Sequence, residues 1–95
     1  MKVRLKTFGS IRRAIGQSVV LIEGDSLTTV RDAIAVAIET YGPELKDVLL
    51  DNDGAISGNM IVMLNGRDTE LLRGLGTPIS EDDEVTILPH VQGGG

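Results

Sequence analysis

Hydrophobic and polar positions alternate from the first residues of the chain. In "KVRLKTF", Val3, Leu5 and Thr7 fall against Lys2, Arg4 and Lys6, with Phe8 at the end, and a period of two is that of a half-buried strand. "SIRRAIG" predicts one or two helical turns, and "QSVVLIE" is a second β-branched run that "EGDS" breaks. The first two strands therefore form a hairpin with a short helical excursion at its tip.

The period then changes. In "TVRDAIAVAIETYG", Val30, Ile34, Ala37, Ile38 and Tyr41 recur at three- and four-residue steps and paint one apolar stripe along a helix. Thr29 is placed to cap its start, Asp32 lies in the favoured acidic first turn, and Gly42 followed by Pro43 ends it. "PELKDVLL" predicts a second short helix, and the Asp, Asn and Gly content of "DNDGAISGN" predicts a loop. "MIVMLNGRDTE" is a continuous apolar strand running into an Asn65-Gly66 hairpin turn. "LLRGLGTPIS" is irregular, and "DDEVTILP" is the last strand. An unbroken apolar run such as 60–64 belongs in a sheet interior with a helix over one face, so the helix is expected to lie across a small mixed sheet. The fold class is α+β, with four to five strands and one main helix.

Composition narrows the chemistry. At 95 residues and 41% hydrophobic, the chain makes a single compact domain, of a size that buries roughly 60–65% of its unfolded surface. Phe8 and Tyr41 are the only aromatics, which leaves little platform for stacking nucleic-acid bases. The net charge is -5, and the nine basic residues are scattered except in "IRR", so no stripe for tracking phosphates is visible and no direct nucleic-acid partner is expected. No apolar run approaches the ~20 residues of a membrane span, and "MKVRLKTF" lacks a signal-peptide core, so a cytoplasmic location without membrane partners is expected. The absence of cysteine removes disulfides, thiolate metal sites and a cysteine nucleophile together.

Catalytic candidates are few. "DNDGAISGNM" superficially suggests a calcium loop, but counting back from Gly54 puts Leu49 at the first ligand position, and Met60 stands where the bidentate Glu is needed. The acidic run at 81–84 reads as a solvated strand entry. "RGLGTP" lacks the Lys and hydroxyl residue of a phosphate loop, so Gly74 and Gly76 read as turn residues. His90 has no Ser or Cys partner for a triad. No metal or resident cofactor is expected.

The ending "VTILPHVQGGG" stands out instead. Pro89 fixes φ and lacks an N–H, so the six residues after it are expected to project free of the sheet, with the domain drawn as 1–90 and a flexible glycine tail as 91–95. Ordering such residues costs on the order of 1–2 kcal/mol each, which a partner must repay by gripping them. Glycine lets an extended chain thread a slot too narrow for a Cβ and presents an unhindered carboxylate there. A tail of Gly93, Gly94 and Gly95 is thus suited to be a substrate.

These segments together resemble the MoaD/ThiS sulfur-carrier proteins, which share the ubiquitin-like β-grasp fold. "KVRLKTFGSIRRAIG" looks like the family's opening strand and short helix, with Phe8 and Arg12 at its marked positions; "TVRDAI" is similar to its helix entry, "VMLNGRD" to its third strand and turn, and "ISEDDEVTILPHVQGGG" to its closing pattern. The resemblance implies that the terminal carboxylate is adenylated by a ubiquitin-activating-type enzyme using ATP, then converted to a thiocarboxylate that donates sulfur. It implies a carrier that catalyses nothing itself. The closing segments look most like the MoaD branch, the small subunit of molybdopterin synthase, whose large subunit receives the tail. That branch's usual ending, Phe-Pro-Pro-x-x-Gly-Gly, is here Leu88-Pro89-His90-Val91-Gln92 and three glycines, one residue longer after the first Pro.

Within this resemblance, Leu88, Pro89 and Val91 are the expected docking surface, with Phe8 and Arg12 carried over beside them. Leu88 also has a burial reading, because Val85 and Ile87 alternate with it. The rival function is a protein modifier joined through its terminal glycine to lysines of other proteins, with Lys2, Lys6 and Lys46 as acceptors for self-conjugation; sulfur donation to tRNA thiolation is another. A non-covalent β-grasp binding module is the third.

Overall fold

A computed structural model describes residues 1–90. Strand β1 (Lys2–Thr7) leads into helix α1 (Gly9–Ile15), and β2 (Val19–Glu23) returns antiparallel to β1, pairing Arg4 with Leu21 and Lys6 with Val19. Helix α2 (Val30–Tyr41) and α3 (Pro43–Leu49) follow, then β3 (Met60–Leu64), the two-residue β4 (Arg67–Asp68), two 3-10 turns and β5 (Glu84–Pro89). The sheet order is β2-β1-β5-β3-β4, with β1 and β5 parallel and the other pairs antiparallel. This is the ubiquitin-like β-grasp expected from the sequence: a five-stranded mixed sheet holding one main helix.

The alternating pattern does what its period requires. Val3, Leu5 and Thr7 of β1, Val20 and Ile22 of β2, and Val85 and Ile87 of β5 are buried on one face, against Val30, Ala33, Ile34 and Ala37 of α2. Burying each of the larger aliphatic side chains contributes about 1.5–3 kcal/mol. Thr7 joins them because its hydroxyl donates to the Gln17 carbonyl at 2.9 Å, so no polar atom is left unpaired in the interior.

The start of α2 is closed by a capping box. Asp32 N–H donates to the Thr29 hydroxyl at 3.3 Å, while Thr29 N–H donates back to the Asp32 carboxylate at 3.0 Å. Thr28 adds its own N–H and hydroxyl to the same carboxylate, at 2.9 and 2.6 Å. Gly42, at φ +76, ends α2, and Pro43 opens α3 at a position where its missing N–H costs nothing.

Strand β3 sits closer to the edge than its apolar run implied. On one side it pairs with β5 along its length, but on the other β4 reaches only Met63 and Leu64. Its residues are apolar on both faces because Ile61 and Met63 turn away from the helices, opposite Leu88 and Thr86.

Candidate functional site

Two hydrogen bonds set the phase of β5. Asn65 N–H donates to the Glu84 carbonyl at 2.8 Å and His90 N–H to the Asn59 carbonyl at 2.6 Å. Even-numbered residues of β5 therefore bond to β3, and odd-numbered residues face β1. Pro89 falls on the β1 side, two residues past Ile87, which is level with the last residue of β1, Thr7. The strand thus carries a proline at a central position because its neighbour has already ended, and no ladder bond is lost.

The space beyond Thr7 is filled by the proline ring. Gly9 adopts φ +58, and a Cβ on it would stand 3.0 Å from the Pro89 Cγ. One expectation needs correcting here. The residues after Pro89 were expected to leave the sheet at once, but His90 remains on the β3 ladder through Asn59, so the fold fixes the direction of the chain one residue further. Val91, Gly93, Gly94 and Gly95 lie outside the described residues.

The other expected site residues gather around this exit. Leu88 is half-buried, and the strand period turns it to the outer face of the sheet, away from Val85 and Ile87, beside Ile61. Its burial reading is therefore corrected: it does not share their core. Phe8 lies one register step past Thr7, level with Leu88, and is 40% exposed. The Lys6 ammonium stands 5.6 Å from the centre of its ring, an exposed cation–π contact worth about 0.5–1 kcal/mol. Arg12 is exposed on α1, one turn from Phe8, whose carbonyl accepts from Arg12 N–H at 3.3 Å. Ile61 and Met63 extend this surface and were not foreseen, and Lys6, expected only as a conjugation acceptor, joins them; in an all-apolar run nothing distinguishes an outward Ile61 from an inward Val62.

Polar segments elsewhere are occupied with the backbone. Asp51 accepts from the N–H groups of Asp53 and Ala55, at 2.9 and 3.2 Å, closing the 51–55 turn. In the acidic run, Glu81 accepts from Lys2 N–H at 2.9 Å, and Asp83 takes Ser80 N–H at 2.7 Å and the Asn65 amide at 3.1 Å. Thr77 bridges the "RGLGTP" turn, donating to the Gly74 carbonyl at 2.7 Å and accepting from Arg73 N–H at 3.0 Å. Among the described residues, no three His, Asp or Glu side chains gather as a metal site. A groove of about 510 Å³ runs from Ile56 and Met60 to Thr69 and His90, at the foot of the exit. The hydrogen bonds from Thr28, side chain first, hold the Asp32 carboxyl below the ordinary carboxylate range; its partners mark it as a cap. Among the described residues no helix is long and apolar enough to cross a membrane.

The geometry is that of a domain whose last described strand is locked at Pro89 and His90, with Phe8 and Leu88 on the sheet beside it. Comparison with known proteins bears on the family and the fold. A protein of Archaeoglobus fulgidus described as a candidate sulfur carrier is 34% identical over 99% of this chain and 98% of its own. The small archaeal modifier protein 3 of Haloferax volcanii is 30% identical over 99% of this chain and 100% of its own. The solution structure of small archaeal modifier protein 1 from Methanosarcina acetivorans superposes with a TM-score of 0.84 at 28% identity, covering 96% of this chain and 94% of that one. The sequence model of the ThiS family matches residues 5–94, and the chain belongs to that family of ubiquitin-like carriers and modifiers.

Proposed function

We propose that this protein is a sulfur carrier whose working group is the carboxylate of the "GGG" ending. The observation that carries the proposal is the seat of the last described residues: a central strand, a proline seated on Gly9 and a His90 amide still bonded to Asn59 fix the point from which the glycine ending continues. The carboxylate oxygen attacks the α-phosphorus of ATP on an adenylating enzyme and releases pyrophosphate. Hydrosulfide then attacks the acyl carbon, the bond to AMP breaks, and loss of the sulfur-bound proton leaves a thiocarboxylate. Activation is needed because a free carboxylate has no adequate leaving group, and the thiocarboxylate sulfur is then itself nucleophilic. Phe8, Arg12, Leu88, Pro89 and Val91 form the surface that docks the activating enzyme, with ATP bound by that enzyme.

Two acceptors fit the same activated carboxyl group. Delivery of sulfur to the large subunit of a molybdopterin synthase rests on the resemblance of the closing segments. Attachment to lysines of other proteins is favoured by a specific observation, the match along its whole length to an archaeal modifier protein. Intact-mass spectrometry of the chain from its native host separates these routes. A gain of about 16 Da on the last glycine, oxygen replaced by sulfur, is the carrier's signature. The tail joined to lysines with no thiocarboxylate form would establish the modifier alone. A tail unchanged in the presence of the activating enzyme would overturn both.

A further inference from the structure

The two edges of the sheet differ. One is closed by β4, only two residues long; the other is β2, five residues from Val19 to Glu23, paired on one side only. Thr7 N–H donates to the Ser18 carbonyl at 2.8 Å and Gly24 N–H to the Met1 carbonyl at 3.2 Å, so residues 18, 20, 22 and 24 bond toward β1. Val19, Leu21 and Glu23 point their N–H and C=O groups outward. Among the described residues no backbone or side-chain hydrogen bond reaches these outward groups. The same residues carry exposed apolar surface, Val19 at 44% and Leu21 at 60%. Natural edges are usually blunted by charge, proline or a bulge, and this one has a single charge, at its last residue.

We propose that this edge pairs with the β2 edge of a second copy of the chain, antiparallel about a two-fold axis at Val20, joining two five-stranded sheets into one. The sequence of the edge is complementary to itself in that register. Val19 stands opposite Leu21 of the other copy, and Leu21 opposite Val19, so both apolar pairs fall on hydrogen-bonded positions and four ladder bonds form. Glu23 then faces Gln17, an amide donor, and no like charges meet. Moving the axis to Leu21 would leave one apolar pair, Leu21 opposite Leu21, and set each Glu23 against a Val19, so an unpaired carboxylate would lie beside an apolar side chain on both flanks. Because β5 is parallel to β1 and antiparallel to β2, the two tail roots lie at opposite ends of the joint sheet, and each stays open to a partner. The pairing does not depend on what the tail carries.

So short an edge buries less than the roughly 1,200 Å² of a stable interface, so association is weak. Between copies of net charge -5 it strengthens as salt screens their repulsion. The test is NMR on the full chain from about 0.05 to about 2 mM, a range suited to a weak interface. Exchange of the Val19, Leu21 and Glu23 amides is expected to slow at least threefold with concentration, more so at high salt, while those of Val20 and Ile22 change little. Leu21→Lys and Val19→Lys, at exposed positions that leave the core intact, abolish the effect; Leu71→Lys, at an 84% exposed leucine far from the edge, preserves it. Concentration-independent exchange at β2 would overturn the proposal, as would perturbations centred on Ile61, Met63 and Leu88, which would mean that copies meet through the sheet face.

Discussion

Gly9→Ala tests how Pro89 is seated. Two costs combine at this position. Gly9 lies at φ +58, where an L-side chain loses about 1–2 kcal/mol. The new methyl would also stand 3.0 Å from the Pro89 Cγ, and a proline ring cannot rotate aside as the end of a flexible chain can. Crowding of that kind costs about 1–3 kcal/mol, for a total of about 2–5 kcal/mol. Gly16 supplies the control: it has φ +86 but nothing within 4 Å of its Cβ position, so Gly16→Ala should show the backbone cost alone. Urea unfolding followed by circular dichroism gives both values, and the melting point should fall by roughly 10–20 °C for Gly9→Ala and about half that for Gly16→Ala. Adding Pro89→Ala to Gly9→Ala should recover about 1–2 kcal/mol through the coupling of the two sites. Equal losses for Gly9→Ala and Gly16→Ala, with no coupling to Pro89, would refute the claim that the proline ring is seated on Gly9.

Three other perturbations have defined outcomes. Leu88→Arg, on the outer face, should leave the unfolding midpoint within about 0.5 kcal/mol of the parent while weakening binding to the adenylating enzyme at least tenfold, as a lost interface anchor does; unchanged ATP–pyrophosphate exchange kinetics would remove Leu88 from the docking surface. Asn65→Ala should destabilise by about 1–3 kcal/mol in urea titration, because its carbonyl accepts from Glu84 N–H at 2.9 Å, its amide donates to Asp83 at 3.1 Å, and it holds φ +51. Asp32 predicts an acid limb. Its folded carboxyl is held below the ordinary range, so its contribution is fully present above the unfolded value of about 3.9 and is lost as pH falls through the lower, folded value. Asp32→Asn should flatten that part of the stability–pH curve, and an unchanged slope below about pH 4 would argue against the capping network.

Elements whose signals are local were legible in the sequence. The Thr29 cap, the Gly42-Pro43 stop and the Asn65-Gly66 turn each depend on residues within four positions of one another and form as expected, while the return bond from Thr29 N–H to Asp32 that completes a capping box was seen only in the structure. The alternation of 2–7 likewise predicted which side of β1 is buried. What escaped depends on neighbours distant in sequence. Pro89 marks a chain end when read alone, but its consequence is set by where β1 stops, at Thr7 near the other end of the chain. The face of Leu88 and the split of β3 into a buried face, Val62 and Leu64, and a half-exposed one, Ile61 and Met63, are fixed by cross-strand register, which an apolar run does not encode. The imidazole of His90 draws the eye in the sequence, whereas the contribution the fold makes visible is its backbone amide. Among the candidate site residues, Pro89 drew notice through its own backbone chemistry, whereas Phe8 and Arg12 were carried over from resemblance to a family.

The position of β5 also bears on how the chain comes to fold. Residues up to 83 contain two hairpin-like units, β1 with β2 and β3 with β4, and the sheet joins them only through the last strand. Such non-local pairing is slow, because a long loop must close before any contact rewards it. During synthesis, therefore, the two halves wait for the closing strand. The surface around Phe8, Leu88 and Pro89 is thus completed only when this last strand has docked, and a partner that reads that surface would ignore chains that have not yet folded.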